Sequence, residues 1–322
     1  MALLTPLAFD DAKQLLQAFG LTLQEITPLE QGSVNSNFRL RTAQGLFFAR
    51  LYEEQSPTGA AQEMRTAREL VAQGVPTPAP LQPLSLAEPL VSAGKAFAVY
   101  PWVQGEILCQ RRTTVQHLDQ VGRALARLHR ASAQLTHIPE GRFEPVDLER
   151  RLGDIERRIG SSGGELRDAV TLIRERLAHH AGRRDPALPR GIIHGDLFRD
   201  NALWVNDELT AVIDFESASR GTFAYDVMVC VHAWCYADHF ELDKVKALLT
   251  GYTEERPLSV VEVASLVGEG AIAALRFATT RITDFALRAA PGETPKRDYR
   301  RFLARLNEVE TGELGRMLQG KW

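Results

Sequence analysis

Residues 192–204 read IIHGDLFRDNALW, and residues 212–217 read VIDFES. Two short apolar runs, Ala202 to Val205 and Leu209 to Ile213, meet at Asn206-Asp207 and predict a hairpin. This hairpin interrupts a region that otherwise reads as helix. Leu118, Val121, Leu125 and Leu128 repeat at intervals of three and four with basic residues opposite, the pattern of an amphipathic helix on a core. Leu148 to Ile159 and Leu166 to Leu177 suggest two more helices, separated by Ser161-Ser162-Gly163-Gly164, and helices resume from about Tyr225.

The first third follows a different pattern. A helical repeat from Phe9 to Phe19 stops at Gly20. Asn37 to Arg41 and Leu46 to Leu51 flank Thr42-Ala43-Gln44-Gly45 and predict an antiparallel hairpin. Ala60 to Gln73 is helical, VPTPAP at residues 75–80 forces an extended connection, and Ala96 to Tyr100 is a short apolar strand entering Pro101-Trp102. Together these segments predict an α+β fold of two lobes: a small antiparallel-sheet N-lobe over residues 1–101 and a larger, mainly helical C-lobe over 102–322. The embedded hairpin is expected to face the cleft between them.

The quoted stretch also carries chemistry. Phosphoryl transfer needs a carboxylate to orient and deprotonate an acceptor hydroxyl, and oxygen ligands for the magnesium ions that neutralise phosphate. Asp196 and Asn201, five residues apart on one loop, can serve the acceptor and a metal; Asp214 supplies a second metal ligand from the end of the next strand. The spacing repeats the catalytic-loop and D-F-G pair of protein kinases, with Gly195 where those have Arg and Glu216 where they have the final Gly. Turn and cap residues also favour Asp and Asn, but turn chemistry does not require this joint spacing. Upstream, residues 31–38 form a small-residue loop whose Gly32, Ser33, Asn35, Ser36 and Asn37 suit backbone contact with phosphates, although a plain turn has the same composition. In the strand FFARL, Arg50 occupies the position of the phosphate-contacting Lys, with Glu63 on the following helix as its expected partner. Arg for Lys exchanges a compact ammonium for a planar fork.

These residues resemble the aminoglycoside-phosphotransferase-like kinases, and within them the bacterial homoserine kinases of this protein-kinase-like fold. The likeness runs through QGSVNSNF, VYPWVQGE, LARLHRAS, PRGIIHGDLFRDNALW, AVIDFESAS, AYDVMVCVHAWC, LLTGYTEERPLS, ALRFATTRITDF and PKRDYRRFLARL, nearly the whole chain. It implies Asp196 as catalytic base, Asn201 and Asp214 as magnesium ligands, and Tyr100, Pro101, Trp102 and Val103 as a hinge that hydrogen-bonds adenine. It further implies ATP as phosphoryl donor and L-homoserine as acceptor, giving O-phosphohomoserine and ADP on the way to threonine.

Homoserine is a zwitterion and calls for both an anionic and a cationic partner. Phe198, Arg199 and Asp200 beside the base, and Asp226, Trp234, Arg276 and Arg281 further on, are the candidates, and Arg276 and Arg281 are too far apart in register for both to face one point. One departure stands out: His232-Ala233 precedes Trp234-Cys235 where related homoserine kinases have Asn-Asp. An aminoglycoside or choline-like alcohol therefore stays open as acceptor, and Arg50 leaves open a catalytically silent nucleotide-binding regulator.

Composition narrows the alternatives. The chain has 322 residues, 44% hydrophobic and 25% charged, with a net charge of -3, an ordinary globular balance with no global field for nucleic acid or an anionic membrane. Its start, MALLTPLAFDDAK, is acidic where a signal peptide is basic, and no run approaches the ~18 apolar residues of a membrane helix, so a cytoplasmic protein is expected. Cys109, Cys230 and Cys235 fit no zinc or disulfide spacing and read as buried small hydrophobes.

Overall fold

The structure is a computed structural model, and it describes residues 5–29, 34–84, 89–160, 164–288 and 297–320. It divides into two compact units. The first comprises residues 1–106, 134–137 and 202–216, the second 107–133, 138–201 and 217–322.

The first unit is built on a five-stranded antiparallel sheet in the order β1-β2-β3-β5-β4. Its strands are β1 (Leu23–Leu29), β2 (Ser36–Thr42), β3 (Gly45–Leu51), β4 (Leu90–Ser92) and β5 (Lys95–Pro101). Alternation sorts the side chains between the two faces of the sheet. Phe38, Leu40, Ala49, Leu51, Phe97 and Val99 pack with Leu16 of helix α1 (Phe9–Gln17), while Ala96 and Ala98 turn to the other face with Tyr52, Ala60 and Met64. The latter two residues belong to α2 (Pro57–Ala72), whose start is set by the Ser56 side chain accepting the Gly59 N–H and by Pro57 at the first helical position.

The hairpin of β7 (Ala202–Val205) and β8 (Glu208–Val212) belongs to this unit. Asn206 and Asp207 both have positive φ, 49° and 63°, as a tight two-residue turn between twisted strands requires. Glu106 bridges Trp204, and the Val212 N–H donates to the Pro76 carbonyl. The connector runs so close that a Cβ on Gly105 would lie 2.9 Å from that of Leu203.

In the second unit, β6 (Arg190–Ile193) and β9 (Ser219–Thr222) form a two-stranded ladder with Gly191 opposite Gly221. Four residues each, with glycine in both, they carry no periodic signal, and the sequence does not announce them. The rest is helical: α3 (Val115–Ala131), α4 (Pro145–Ile159), α5 (Gly164–Ala181), α6 (Phe223–Trp234), α7 (Leu242–Glu255), α8 (Val260–Asp284), α9 (Arg300–Thr311) and α10 (Glu313–Gly320).

Helix α6 is buried along its entire length, and α8, started by a Ser259–Glu262 capping box, supplies Ala271 to Ala278 to the core. Helices α3 and α7 pack backbone to backbone: a Cβ on Gly122 would meet the Leu248 carbonyl at 2.1 Å, so only glycine permits the approach. Among the described residues, no helix is long and apolar enough to cross a membrane. Cys230 and Cys235 are buried as expected, but Cys109 is exposed, because it lies in the irregular segment before α3 and faces no core.

Candidate active site

The second unit carries the loop that follows β6. Gly195 holds φ +72°, and an added Cβ would press on the Ser217 carbonyl at 3.2 Å, so an Arg here, as in protein kinases, would be strained. Asp226, fully buried on α6, accepts the backbone N–H groups of His194 at 2.7 Å and Gly195 at 2.8 Å, and a third bond from His129 Nε2 at 3.1 Å. Burial pushes the Asp226 carboxyl up, but the His129 hydrogen bond and the loop amides outweigh it and hold it below its usual range. Burial likewise lowers His129, so a neutral imidazole donates through Nε2 and accepts the Tyr252 hydroxyl at Nδ1. Arg256 in turn donates to that hydroxyl and to Glu262. The far end of the loop hangs on Trp234, whose indole N–H donates to the Leu197 carbonyl at 2.8 Å, and on Arg199, which donates to the Ala233 carbonyl.

This scaffold leaves Asp196 as the loop's partly open carboxylate, with its side chain 39% exposed. Asn201 donates its amide N–H to the Asp196 carbonyl at 2.8 Å, which leaves Oδ1 to accept a cation. Arg276 of α8 reaches Asp196 Oδ1 at 3.2 Å. Phe198 packs edge-on to Phe277 with ring centres 5.0 Å apart, and Asp200 is exposed.

The first unit carries Arg50 and Asp214. Arg50 Nη1 donates to Asp214 Oδ1 at 3.1 Å and its Nε to Asn37 Oδ1 at 3.2 Å. Glu63 stands 3.8 Å from the same Nη1 and accepts the Tyr52 hydroxyl, which also bonds Tyr100. Burial works against the Arg50 charge, but Asp214, then Tyr52 and Glu63, hold its pKa above the usual arginine value. The strand position expected to pair with Glu63 is therefore closer to Asp214. Asp214 itself adopts φ +69°, a strained conformation for a non-glycine residue. Asn35 ties its loop down by accepting the Glu53 N–H and donating to Glu216 at 3.1 Å; Ser36 bonds Glu53 as well.

Gly32 and Ser33 lie outside the described residues. Tyr100 and Pro101 end β5, and Trp102 continues alongside with its N–H on the Leu46 carbonyl; Val103 is half-buried. The structure does not bring Arg281 to Asp196: its guanidinium stacks on Phe302 and donates to the Asp298 carbonyl, and burial, with neighbouring Arg297, lowers its pKa to about 10. Asp226 and Trp234 support the loop from beneath and are fully buried. His232 is a packed helix histidine: its Nε2 donates to the Gly270 carbonyl, and burial lowers its pKa to about 3. Neighbouring Ala233 is also buried.

The sequence did not single out His129, Phe143, Arg151 or Tyr225. His129 sits inside the quoted LARLHRAS as an apparent helix-face residue and Tyr225 inside the quoted AYDVMVCVHAWC beside Asp226, whereas Phe143 and Arg151 carry no motif that could have flagged them.

The loop of the second unit carries Asp and Asn at this spacing, and in the first unit Arg50 of β3 meets Asp214 after β8 and Glu63 of α2; each is a mark of one class. The chain belongs to the phosphotransferase enzyme family, which it matches over residues 25–258. Among individual proteins it is 35% identical over 300 residues to the homoserine kinase of Afipia carboxidovorans, covering 92% of this chain and 90% of that one. It is also 32% identical over 309 residues to the homoserine kinase of Brucella melitensis biotype 1, covering 93% and 92%. Solved structures share the fold at lower identity. An amicoumacin kinase in complex with AMP-PNP and Ca2+ aligns with TM-score 0.71 at 18% identity over 95% of this chain and 94% of that one. A choline/ethanolamine kinase family protein from Mesorhizobium loti aligns with TM-score 0.62 at 17% identity over 96% and 97%.

Proposed function

We propose that this protein phosphorylates L-homoserine with ATP, releasing O-phospho-L-homoserine and ADP, in the cytoplasm and on the way to threonine. What carries the reading is the near full-length similarity to several homoserine kinases above 30% identity, combined with Asp196, Asn201 and Asp214 all present on suitable elements.

In this reading the acceptor hydroxyl lies against Asp196, which takes its proton as the oxygen attacks the γ-phosphorus and the bond to ADP breaks. Asp196 suits the role because it is open to solvent while its loop is pinned on both sides. Asn201 Oδ1 and the Asp214 carboxylate are hard oxygen donors that fit a divalent cation such as Mg2+, which would neutralise charge on the phosphates. Arg50 would contact phosphate, Gly32 to Asn37 would line the phosphate loop, and Tyr100 to Val103 would meet adenine. The nucleotide analogue and Ca2+ held by the structurally similar amicoumacin kinase support ATP as donor and the need for a divalent metal.

The His232-Ala233 departure motivated a different acceptor, but His232 donates its Nε2–H to the Gly270 carbonyl and packs against Phe240 and Phe302, a structural engagement that needs no substrate. The test is a coupled ADP-release assay across L-homoserine, choline, ethanolamine and an aminoglycoside. Turnover on L-homoserine with kcat/KM at least tenfold above the others is expected; turnover confined to another alcohol would refute the reading.

A further inference from the structure

Arg276 is 95% buried, yet it is a cation in a core, and its surroundings indicate why it is kept there. Its guanidinium carbon lies 4.0 Å from the ring centre of Phe143 and 3.9 Å from that of Phe277. The rings stabilise the charge and hold the plane in place. A guanidinium donates only within its own plane, so any ligand must meet it edge-on, the geometry that suits a carboxylate. One in-plane bond goes to Asp196; Nε is buried with no hydrogen-bond partner among the described residues.

Three neighbours extend the feature. The Tyr225 hydroxyl, on a residue only 2% exposed, also has no partner among the described residues, although Arg276 and Asp196 act on it electrostatically. Two further cations gather around the same phenyl ring: Arg142 at 5.4 Å and Arg151 at 6.0 Å from the centre of Phe143. Burial, then the charge of Arg276, lowers the Arg151 pKa, with Arg142 adding to this and Asp284 and Asp147 acting against it. Unsatisfied buried donors and crowded cations beside the open carboxylate of the loop call for an anion.

We infer that Arg276, with Arg151 and the Tyr225 hydroxyl, binds the carboxylate of the acceptor and makes the enzyme select acid-bearing alcohols. The inference rests on the acceptor reading above and adds which group of the acceptor is recognised and by what. It also predicts that polycationic acceptors are used poorly, since a three-arginine cluster repels them.

The experiment compares L-homoserine with its carboxamide, which keeps the hydroxyl and ammonium but lacks the negative charge. Wild-type kcat/KM should fall roughly 10–100-fold on the amide, the range of a hydrogen-bonded charge. In Arg276→Gln the preference should shrink to within about threefold, and Arg151→Gln should reduce it partly, while ATP KM stays unchanged in both. If Arg276 only positioned Asp196, Arg276→Gln would slow both acceptors equally and leave the preference intact, overturning the inference. Equal use of the two acceptors by wild type would overturn it without any variant. Turnover of neither acceptor would overturn the acceptor reading itself, and this inference with it.

Discussion

The Asp226 carboxylate accepts the backbone N–H groups of two consecutive residues, His194 and Gly195, across 32 and 31 residues of sequence. Two amides aimed at one buried carboxylate set the direction in which the next residue, Asp196, leaves the strand. Asp226 is thus a positioning residue, and His129, Tyr252 and Arg256 form the hydrogen-bonded chain behind it.

Asp226→Asn keeps the shape but replaces an acceptor-only group with one that must turn a donor toward at least one of these N–H groups. A loss of at least about 2 kcal/mol in urea unfolding is expected, since hydrogen bonds to a buried charge contribute about 1.5–3 kcal/mol each. Turnover should fall with it. A variant as stable as wild type would show that the loop is held by something else.

Asp196→Asn should lower kcat by roughly 10²–10⁴, the range for a general base, while nucleotide affinity is kept. Isothermal titration with a non-hydrolysable nucleotide separates the two effects. Retained turnover would mean the base is misassigned.

Arg50→Met leaves the Asp214 and Glu63 carboxylates without their shared cation. Removing one partner of a buried ion pair costs roughly 3–5 kcal/mol, and the lower end is expected because Asp214 keeps some contact with water. Thermal unfolding and ATP affinity should both weaken, whereas Arg50→Lys should recover part of each. Indifference of ATP affinity to Arg50→Met would remove this residue from the nucleotide site.

His232 is held neutral, with a folded pKa of about 3 against an unfolded value near ~6.5. Because folding lowers this pKa, the unfolded chain binds the extra proton between those limits. Stability is therefore full above about pH 6.5 and falls as pH drops, by up to about 1.4 kcal/mol per pH unit. His232→Leu should flatten the slope, losing roughly 2 kcal/mol less than wild type between pH 7 and pH 5 in urea titrations. Parallel pH profiles would argue against a buried neutral imidazole.

Much of this protein was legible before its structure. The 3.6-residue repeats placed α1 to α5, and alternation with a polar turn placed the β2–β3 and β7–β8 hairpins, because those signals come from neighbours within a few residues. Asp196, Asn201 and Asp214 stood out for the same reason: their spacing is local. What lacked a local signal went unseen, such as the β6–β9 ladder of four-residue strands and the weakly alternating β1.

The sequence by itself determined the order of the elements and which residue types stand on the loop and at the strand end. Only the tertiary structure decided what surrounds them. Arg50 closes on Asp214 across 164 residues, and Arg276 closes on Asp196 across 80. Arg276 and Arg281 look alike in sequence, yet one meets the loop and the other a core phenylalanine on α9. The reason is geometric: five residues advance a helix by about 500°, which leaves two such side chains some 140° apart around its axis. Which of the two faces the loop depends on how α8 packs against α6 and α9, and no local pattern encodes that.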